Sequence, residues 1–190
     1  MQPFTFNTVG QIVNAPGSAL TLANYCRQLG MQRPLLVTDP GLMSIGLVPP
    51  VIAAIEAAGL PLTVFDQVRE DPPEETVLAA RDQAADAGVD GVVAVGGGSS
   101  MDVAKVVATL LAGDQALADM YGVDQVTGGR LPLILVPTTA GTGSEVTPVA
   151  VVTTGATTKA GVSSTVLLPD IAILDADLTL GLPPAVTAMT

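Results

Sequence analysis

Histidine and tryptophan are absent from the 190-residue chain, and cysteine occurs once, as Cys26. Without histidine the chain cannot form a Ser-His-Asp triad, a Cys-His pair, an imidazole proton shuttle or a histidine-containing zinc site. A single cysteine allows neither an intrachain disulfide nor a cysteine-rich metal site, and it favours a reducing compartment. Aromatic residues amount to 3%, which leaves almost nothing for a platform that stacks bases or sugars.

Positive charge is also scarce, because seven Lys and Arg residues face eighteen Asp and Glu residues and leave a formal net charge of −11. Such a balance repels phosphate backbones and anionic lipid surfaces. The first residues, MQPFTFNTVG, lack the basic and apolar regions of a secretion signal. No apolar run approaches a membrane span of about 20 residues. We therefore expect a cytoplasmic protein that has neither nucleic acid nor a membrane as a partner.

Short apolar runs alternate with segments of helical periodicity along the chain. Segment 34–38 is typical of a buried strand, because its apolar residues follow one another without alternating polar ones. Segments 62–65 and 91–95 continue the same order of strand, loop and helix. This order predicts an α/β fold with a mostly parallel sheet flanked by helices. At the N-terminus, segments 4–7 and 11–14 around a turn at Gly10 predict a β-hairpin.

The third strand runs into a glycine-rich loop, Gly96-Gly97-Gly98-Ser99, which is followed by a helix. Glycines let the backbone approach an anion, and a helix N-terminus offers unpaired N–H groups and the positive end of a dipole. Ser99 adds a hydroxyl donor. A phosphate therefore fits this loop, although a tight turn that needs glycine only for its backbone angles remains the alternative.

Asp39 ends the first buried strand, so its carboxylate is expected at the same edge of the sheet as the glycine loop. Such a carboxylate can accept hydrogen bonds from both hydroxyls of an adenosine ribose, and it repels the 2′-phosphate of NADP. This favours NAD, while a turn aspartate before Pro40 is the alternative. The acid precedes the glycines, contrary to the usual dinucleotide fingerprint, so the fold is predicted to be a Rossmann-like variant.

Two further groups carry polar side chains that could bind a ligand. Asp102 and Lys105 lie one turn into the helix after the glycines, where they could form an ordinary surface pair or serve the site. Loop 138–145 presents hydroxyl donors between glycines, and its alternative is a surface turn. The hydroxyl residues of this loop are Thr138, Thr139, Thr142 and Ser144.

Three ordered motifs resemble the iron-containing (group III) alcohol dehydrogenases. Residues 96–105, GGGSSMDVAK, are similar to the phosphate-binding signature of that family, and residues 137–145, PTTAGTGSE, are similar to its second signature. The segments LPD at 168–170, ILD at 173–175 and LPP at 182–184 match the later part of the family's pattern. The PTTAGTGSE motif favours this branch over a relative of glycerol dehydrogenase or dehydroquinate synthase, which stays as an alternative.

The resemblance implies a role for each matching residue. It implies that Asp39 holds the adenosine ribose, and that Asp102 lies near the nicotinamide and the substrate. Asp71 stands where the family often has Asn. The remaining implied cofactor contacts are Gly97, Gly98 and Ser99 on the pyrophosphate, Thr138, Thr139 and Thr142 on the adenine side, Val149 and Val151 at the nicotinamide end, and Lys159 and Leu178 elsewhere on the cofactor.

The resemblance also implies a domain organisation. Residues 1–180 would form the NAD-binding domain, and residues 181–190 would begin the helix that leads into an all-helical domain. In the family that domain carries one Asp and three His as ligands for Fe²⁺ or Zn²⁺, whereas no metal ligand set is expected here. The implied function is the nucleotide-binding half of an enzyme that oxidises a small alcohol to an aldehyde or ketone, without turnover by this chain alone.

Two further expectations concern assembly. By the resemblance, the N-terminal β segment pairs across a dimer, so a homo-oligomer is expected. A stand-alone nucleotide-binding or assembly module without catalysis remains the alternative from another functional class.

Overall fold

Nine strands in two sheets form the centre of the computed structural model, which describes residues 5–189. The strands are β1 (Gln11–Asn14), β2 (Pro34–Val37), β3 (Thr63–Phe65), β4 (Gly91–Gly96), β5 (Gly122–Val123), β6 (Leu133–Pro137), β7 (Val149–Thr154), β8 (Thr158–Ser163) and β9 (Ile171–Leu174). The helices are α1 (Leu22–Gln28), α2 (Pro40–Ser44), α3 (Pro49–Ala57), α4 (Glu74–Asp86), α5 (Gly98–Leu110) and α6 (Pro184–Met189). Short 3₁₀ helices lie at Ser18–Thr21, Leu117–Asp119, Ser144–Val146, Thr165–Leu167 and Ala176–Leu178.

The larger sheet has six strands in the order β1-β9-β6-β4-β2-β3, and every neighbouring pair is parallel. The smaller sheet has the order β5-β8-β7, in which β7 and β8 are antiparallel. The prediction of an α/β fold with a mostly parallel sheet is therefore confirmed. No helix in the described part of the chain is long and apolar enough to cross a membrane.

Both faces of the six-stranded sheet are covered. Successive residues of β2 point to opposite faces, so Leu35 joins one hydrophobic cluster and Leu36 joins the other. The first cluster includes residues of α4, α5, β7 and β8, and the second includes residues of α1 and α3. This explains why the central strands consist of uninterrupted apolar runs, since no residue on either face of these strands meets solvent.

The N-terminal segment differs from the predicted hairpin. Gln11–Asn14 is a strand, but it pairs in parallel with β9, and Gln11 N donates to Asp170 O at 3.0 Å. Residues 5–7 have no strand structure, and Phe4 lies outside the described residues. On one edge β1 pairs with a strand 160 positions later in the register, which takes the place of the predicted hairpin arm. Sequence patterns near Gly10 could not indicate this distant partner.

The order of the central strands creates a crevice at one edge of the sheet. The chain goes from β2 to β3 on one side, and then returns to β4 on the other side of β2. Connections from adjacent strands that leave in opposite directions open a gap at the carboxyl ends of those strands, where open α/β sheets bind ligands. Asp39 follows β2 at this edge and Gly97 follows β4.

Candidate functional site

A cleft of about 870 Å³ occupies this crevice. Its floor is the loop between β4 and α5, and its walls come from the residues after β2, the loop before α4 and the start of β7. Ten of the thirteen residues predicted for the site line this cleft, namely Asp39, Asp71, Gly97, Gly98, Ser99, Asp102, Thr139, Thr142, Val149 and Val151. Residues from distant parts of the sequence are thus brought together at one edge of the sheet.

Three predicted residues are placed differently. Thr138 is 1% exposed and does not line the cleft, and its backbone N–H donates to Gly96 O at 3.0 Å. Lys159 does not line the cleft, but its ammonium forms an ion pair with the cleft residue Asp71. Leu178 is 7% exposed and packs in the hydrophobic cluster on the other face of the sheet.

The floor of the cleft is the uncapped N-terminus of α5. Gly97 is the N-cap residue in extended conformation, and no side chain caps the helix. The first N–H groups of the helix, at Gly98 and Ser99, therefore face the cleft edge without a side-chain acceptor. A Cβ at Gly98 would lie 3.1 Å from Thr142 Cγ2, so the glycine lets Thr142 approach the helix end closely. These features form a cradle suited to an anion.

Asp39 lies beside this cradle, and its two carboxylate oxygens have different surroundings. Its Oδ1 accepts a hydrogen bond from Leu42 N at 2.9 Å, which caps α2, and Pro40 occupies the first turn of that helix. The sequence did not predict α2, although Asp followed by Pro is a common helix start. The second oxygen has no protein partner among the described residues, so it is available to a ligand.

Thr139 contributes a polar atom without a partner. Its Oγ1 is fully buried and forms no hydrogen bond within the described residues. The same residue lines the main cleft and a second cavity of about 330 Å³ behind it. Because a buried hydroxyl without a partner is unfavourable, its position at the cleft indicates a place where a polar group of a ligand could bind.

A network of buried polar side chains lies between α5 and the start of β7, under that wall of the cleft. The Lys105 ammonium donates to Ser144 Oγ at 2.8 Å and to Val149 O at 2.7 Å, and lies 3.8 Å from Asp102 Oδ1. Ser144 Oγ donates to Asp102 Oδ1 at 2.6 Å, and Val151 N donates to Asp102 Oδ2 at 2.9 Å. Burial lowers the pKa of Lys105 to about 8 and raises the pKa of Asp102, in both cases by disfavouring the charged form.

Asp102 and Lys105 are therefore not the exposed pair that the helical spacing allowed, since the Lys105 side chain is 0% exposed. Lys105 was not among the residues predicted for the site. A signal was present in the sequence, because almost every residue of α5 after Ser99 is apolar or small. A helix that is apolar on all sides is buried between layers, and a lysine within it needs buried acceptors.

The loop before α4 forms the mouth of the cleft. Asp71 has a positive φ of 50°, an arrangement that Asp and Asn tolerate better than most residues. Thr153 fixes this loop to β7, since its Oγ1 donates to Asp71 O at 3.0 Å and its N–H donates to Pro72 O at 2.9 Å. The ion pair with Lys159 completes a connection between the loop and β8.

The arrangement fits a dinucleotide better than a metal ion. An anion cradle, a carboxylate beside it and the apolar side chains of Val149 and Val151 lie in one cleft, whose volume is within the usual range for small-molecule sites. The described residues contain no group of three or more His, Cys, Asp or Glu side chains that could hold a metal ion.

Comparisons with known proteins agree with this arrangement. The family model described as iron-containing alcohol dehydrogenase matches residues 10–176. The sulfoacetaldehyde reductase of Bilophila wadsworthia (strain 3_1_6) is 38% identical over 188 residues, which cover 98% of this chain and 49% of that relative. The chain thus spans about half the length of the curated relatives that it matches.

Two solved structures show the same fold. A 1,3-propanediol oxidoreductase matches with a TM-score of 0.94 at 31% identity, over 100% of this chain and 50% of that one. The sulfoacetaldehyde reductase from Bifidobacterium kashiwanohense, solved in complex with NAD⁺, matches with a TM-score of 0.89 at 32% identity, over 99% of this chain and 50% of that one.

Proposed function

Because the chain belongs to the iron-containing alcohol dehydrogenase family, we propose that it binds NAD⁺ in the cleft between β2 and β4 and forms the nucleotide-binding half of an alcohol dehydrogenase. One observation carries the proposal. The uncapped N-terminus of α5 and the free oxygen of Asp39 meet at the point where the sheet connections diverge. A diphosphate and a ribose diol are the groups that these two features bind best.

Each part of the cofactor has a proposed place. The pyrophosphate lies on the N–H groups at Gly97, Gly98 and Ser99, and the adenosine ribose donates to Asp39. Thr139 and Thr142 contact the adenine side, with Thr138 behind them. The nicotinamide end extends toward Val149 and Val151, close to Asp102. Leu178 has no place in this arrangement, because its side chain lies in the other hydrophobic cluster.

The proposed reaction transfers a hydride from the carbinol carbon of a small alcohol to bound NAD⁺, which yields an aldehyde or ketone. The residues of this chain bind the cofactor and orient its nicotinamide end. We place the family's Fe²⁺ or Zn²⁺ outside these 190 residues. The chain by itself is therefore proposed to bind NAD⁺ without oxidising alcohol.

We also propose that the chain forms a homo-oligomer in the cytoplasm, through the free edge of β1. Among the described residues β1 pairs only with β9, and Ile12 on this strand is 53% exposed. An exposed strand edge with an apolar residue favours pairing with another chain. Sedimentation of the wild type and of Ile12→Lys tests this, since the substitution should shift the protein toward the monomer.

Calorimetric titration of the purified chain with NAD⁺ tests the proposed binding. We expect saturable heat for the wild type, and a Kd that rises at least about tenfold, or 1.4 kcal/mol, for Gly98→Val, because the new side chain collides with Thr142 at the floor of the cleft. Gly113→Val is the matched control, since Gly113 lies beyond α5 with open space around it. Absence of binding by the folded wild type would overturn the proposed function.

A further inference from the structure

Lys105 is a fully buried lysine whose ammonium is held by two hydrogen bonds and one ion pair. Its ammonium donates to Ser144 Oγ and Val149 O, and it forms an ion pair with Asp102 Oδ1 at 3.8 Å. A buried ammonium is costly unless it is paired and hydrogen-bonded. An apolar residue would fill this position in a helix core at less cost, so packing alone does not explain a lysine here.

The acceptors of Lys105 belong to three different parts of the cleft. Asp102 lies on α5, whose first turn forms the floor. Ser144 begins a 3₁₀ helix after the loop 138–143, and Val149 begins β7. Asp102 also accepts the N–H of Val151. Two hydrogen bonds therefore join α5 to β7, one from Lys105 to Val149 O and one from Val151 N to Asp102. The network thus fixes the distance between the floor and the β7 wall.

We propose that Lys105 is a positioning residue that holds the β7 wall, with Val149 and Val151, at the correct distance from the N-terminus of α5. The inference rests on the proposed function, in which the pyrophosphate binds the floor and the nicotinamide end reaches this wall. Lys105 itself does not line the cleft. Loss of the Lys105 ammonium should therefore weaken the contacts of the nicotinamide half of the cofactor, whereas the ADP half should keep its contacts with the floor.

Comparison of NAD⁺ with ADP separates the two halves of the cofactor. For Lys105→Met we expect the Kd of NAD⁺ to rise about tenfold and that of ADP to change less than about twofold. Thr109→Val is the matched control, because Thr109 is buried one turn further along α5 and its hydroxyl donates only to Lys105 O. That variant should leave both constants, and their ratio, as in the wild type.

Hydrogen exchange provides a second measurement that is independent of ligand. In the folded Lys105→Met variant the Val151 N–H should exchange faster, because its acceptor Asp102 loses the neighbouring ammonium and Ser144 loses its donor. Amides of β4, which lie in the sheet away from this network, should keep the exchange rates of the wild type. If Lys105→Met does not fold, Ser144→Ala takes its place. For that variant we expect the Kd of NAD⁺ to rise about threefold and the Kd of ADP to stay as in the wild type.

The possible results distinguish the two proposals. Suppose that the wild type binds ADP and NAD⁺, and that the variants either bind both ligands equally more weakly or bind both as the wild type does. The positioning role is then wrong, while the proposed function stands. If the folded wild type binds neither ligand, the proposed function fails and the positioning role falls with it. A selective loss for NAD⁺ together with faster exchange at Val151 supports Lys105 as the positioning residue.

Discussion

Asp39 shows how one side chain can serve both the fold and the ligand. Its Oδ1 caps α2 through Leu42 N, while its other oxygen is free at the cleft. The two interpretations of the sequence, a turn residue before Pro40 and a ribose ligand, are therefore compatible. A test of the ribose contact must keep the cap, because loss of an N-cap costs about 1 kcal/mol by itself.

Asp39→Asn is the substitution that meets this condition. Asn caps helices as well as Asp does, but it carries no charge to repel the 2′-phosphate of NADP. We expect the preference for NAD⁺ over NADP⁺, measured as the ratio of the two Kd values, to fall about tenfold. Asp90→Asn is the control, since Asp90 also accepts backbone N–H groups, at Gln32 and Arg33, but lies outside the cleft. An unchanged ratio in Asp39→Asn would remove Asp39 from the ribose site.

Asp71 places a negative charge at the mouth of the same cleft. Its carboxylate is paired with Lys159, and both side chains remain more than half exposed. The pair therefore adds little to stability, but it neutralises the Lys159 ammonium, which could otherwise attract the phosphates of a ligand.

For Asp71→Asn we expect the affinity for NAD⁺ to increase about threefold, because Lys159 is released and one negative charge is lost near the phosphates. Asn also tolerates the left-handed backbone at this position. The matched control is Asp124→Asn, which alters the other left-handed aspartate, with φ of 55°, outside the cleft. The gain should shrink in calorimetry at about 1 M salt, since exposed charges are then screened. A gain that is insensitive to salt contradicts this explanation.

At the scale of the elements, the carboxylate of Asp175 connects the two ends of the chain. It follows β9, is 3% exposed, and accepts hydrogen bonds from Gly17 N and Ala19 N at 2.9 Å. It also accepts from Asp177 N at 3.1 Å. The first 3₁₀ helix is thus attached to the last strand of the sheet by charge-assisted hydrogen bonds.

Replacement of Asp175 by Asn should lower the free energy of unfolding by about 1–3 kcal/mol. One carboxylate oxygen becomes an NH₂ group, which faces a backbone N–H and leaves that donor buried without an acceptor. Urea unfolding, followed by circular dichroism, measures the change. Asp177→Asn is the control in the same turn, because Asp177 is exposed and its bond to Asp175 uses only its backbone N–H. Equal stability of the two variants would contradict the role of Asp175.

The elements that were predicted correctly carry local signals. The buried strands at Pro34–Val37 and Gly91–Gly96 are continuous apolar runs, and this follows from coverage on both faces. The features that were missed include the partner of β1, which was predicted to lie in a hairpin, and the helix α2. β1 needs β9 for its hydrogen bonds, and α2 has five residues, too few for a helical period.

The same distinction holds for the site. Gly97, Gly98 and Asp39 could be predicted, since each follows a recognisable strand and the ends of parallel strands meet at one edge. The burial of Lys105 could not be derived from its spacing to Asp102. It depends on the smaller sheet, whose strand β7 covers α5 from the side opposite to the larger sheet, and the acceptors Ser144 and Val149 are about 40 positions away.

At the scale of the whole molecule, the buried groups Cys26 and Lys105 and the half-buried Tyr121 change the stability at alkaline pH. Burial raises the pKa of Cys26 from 9.0 to about 12, and lowers the pKa of Lys105 to about 8 from 10.5. Burial and the hydrogen bond to Glu74 raise the pKa of Tyr121. Stability rises with pH wherever the unfolded chain binds more protons than the native one.

The groups act in opposite directions on the free energy of unfolding. Between about pH 8 and 10.5 the unfolded chain keeps the Lys105 proton that the native protein loses, so the free energy of unfolding rises. Above pH 9 the unfolded chain loses the Cys26 proton that the native protein keeps, so the free energy falls, and Tyr121 adds to this fall above pH 10. Each of the two fully buried groups contributes at most about 1.4 kcal/mol per pH unit.

We therefore expect the free energy of unfolding to rise from about pH 8 to 9, to remain nearly constant from about 9 to 10, and to fall above about 10. Urea unfolding at half-unit intervals of pH measures this curve. Two substitutions separate the contributions of Lys105 and Cys26, because each changes the slope of the free energy of unfolding against pH in a different range. Cys26→Ala should extend the rise to about pH 10, because only the Lys105 contribution then remains below that pH. Lys105→Met should remove the rise between about pH 8 and 9 and leave the fall. If both variants gave curves parallel to that of the wild type, neither buried group would control the alkaline stability, and the curvature would have to come from groups elsewhere in the fold.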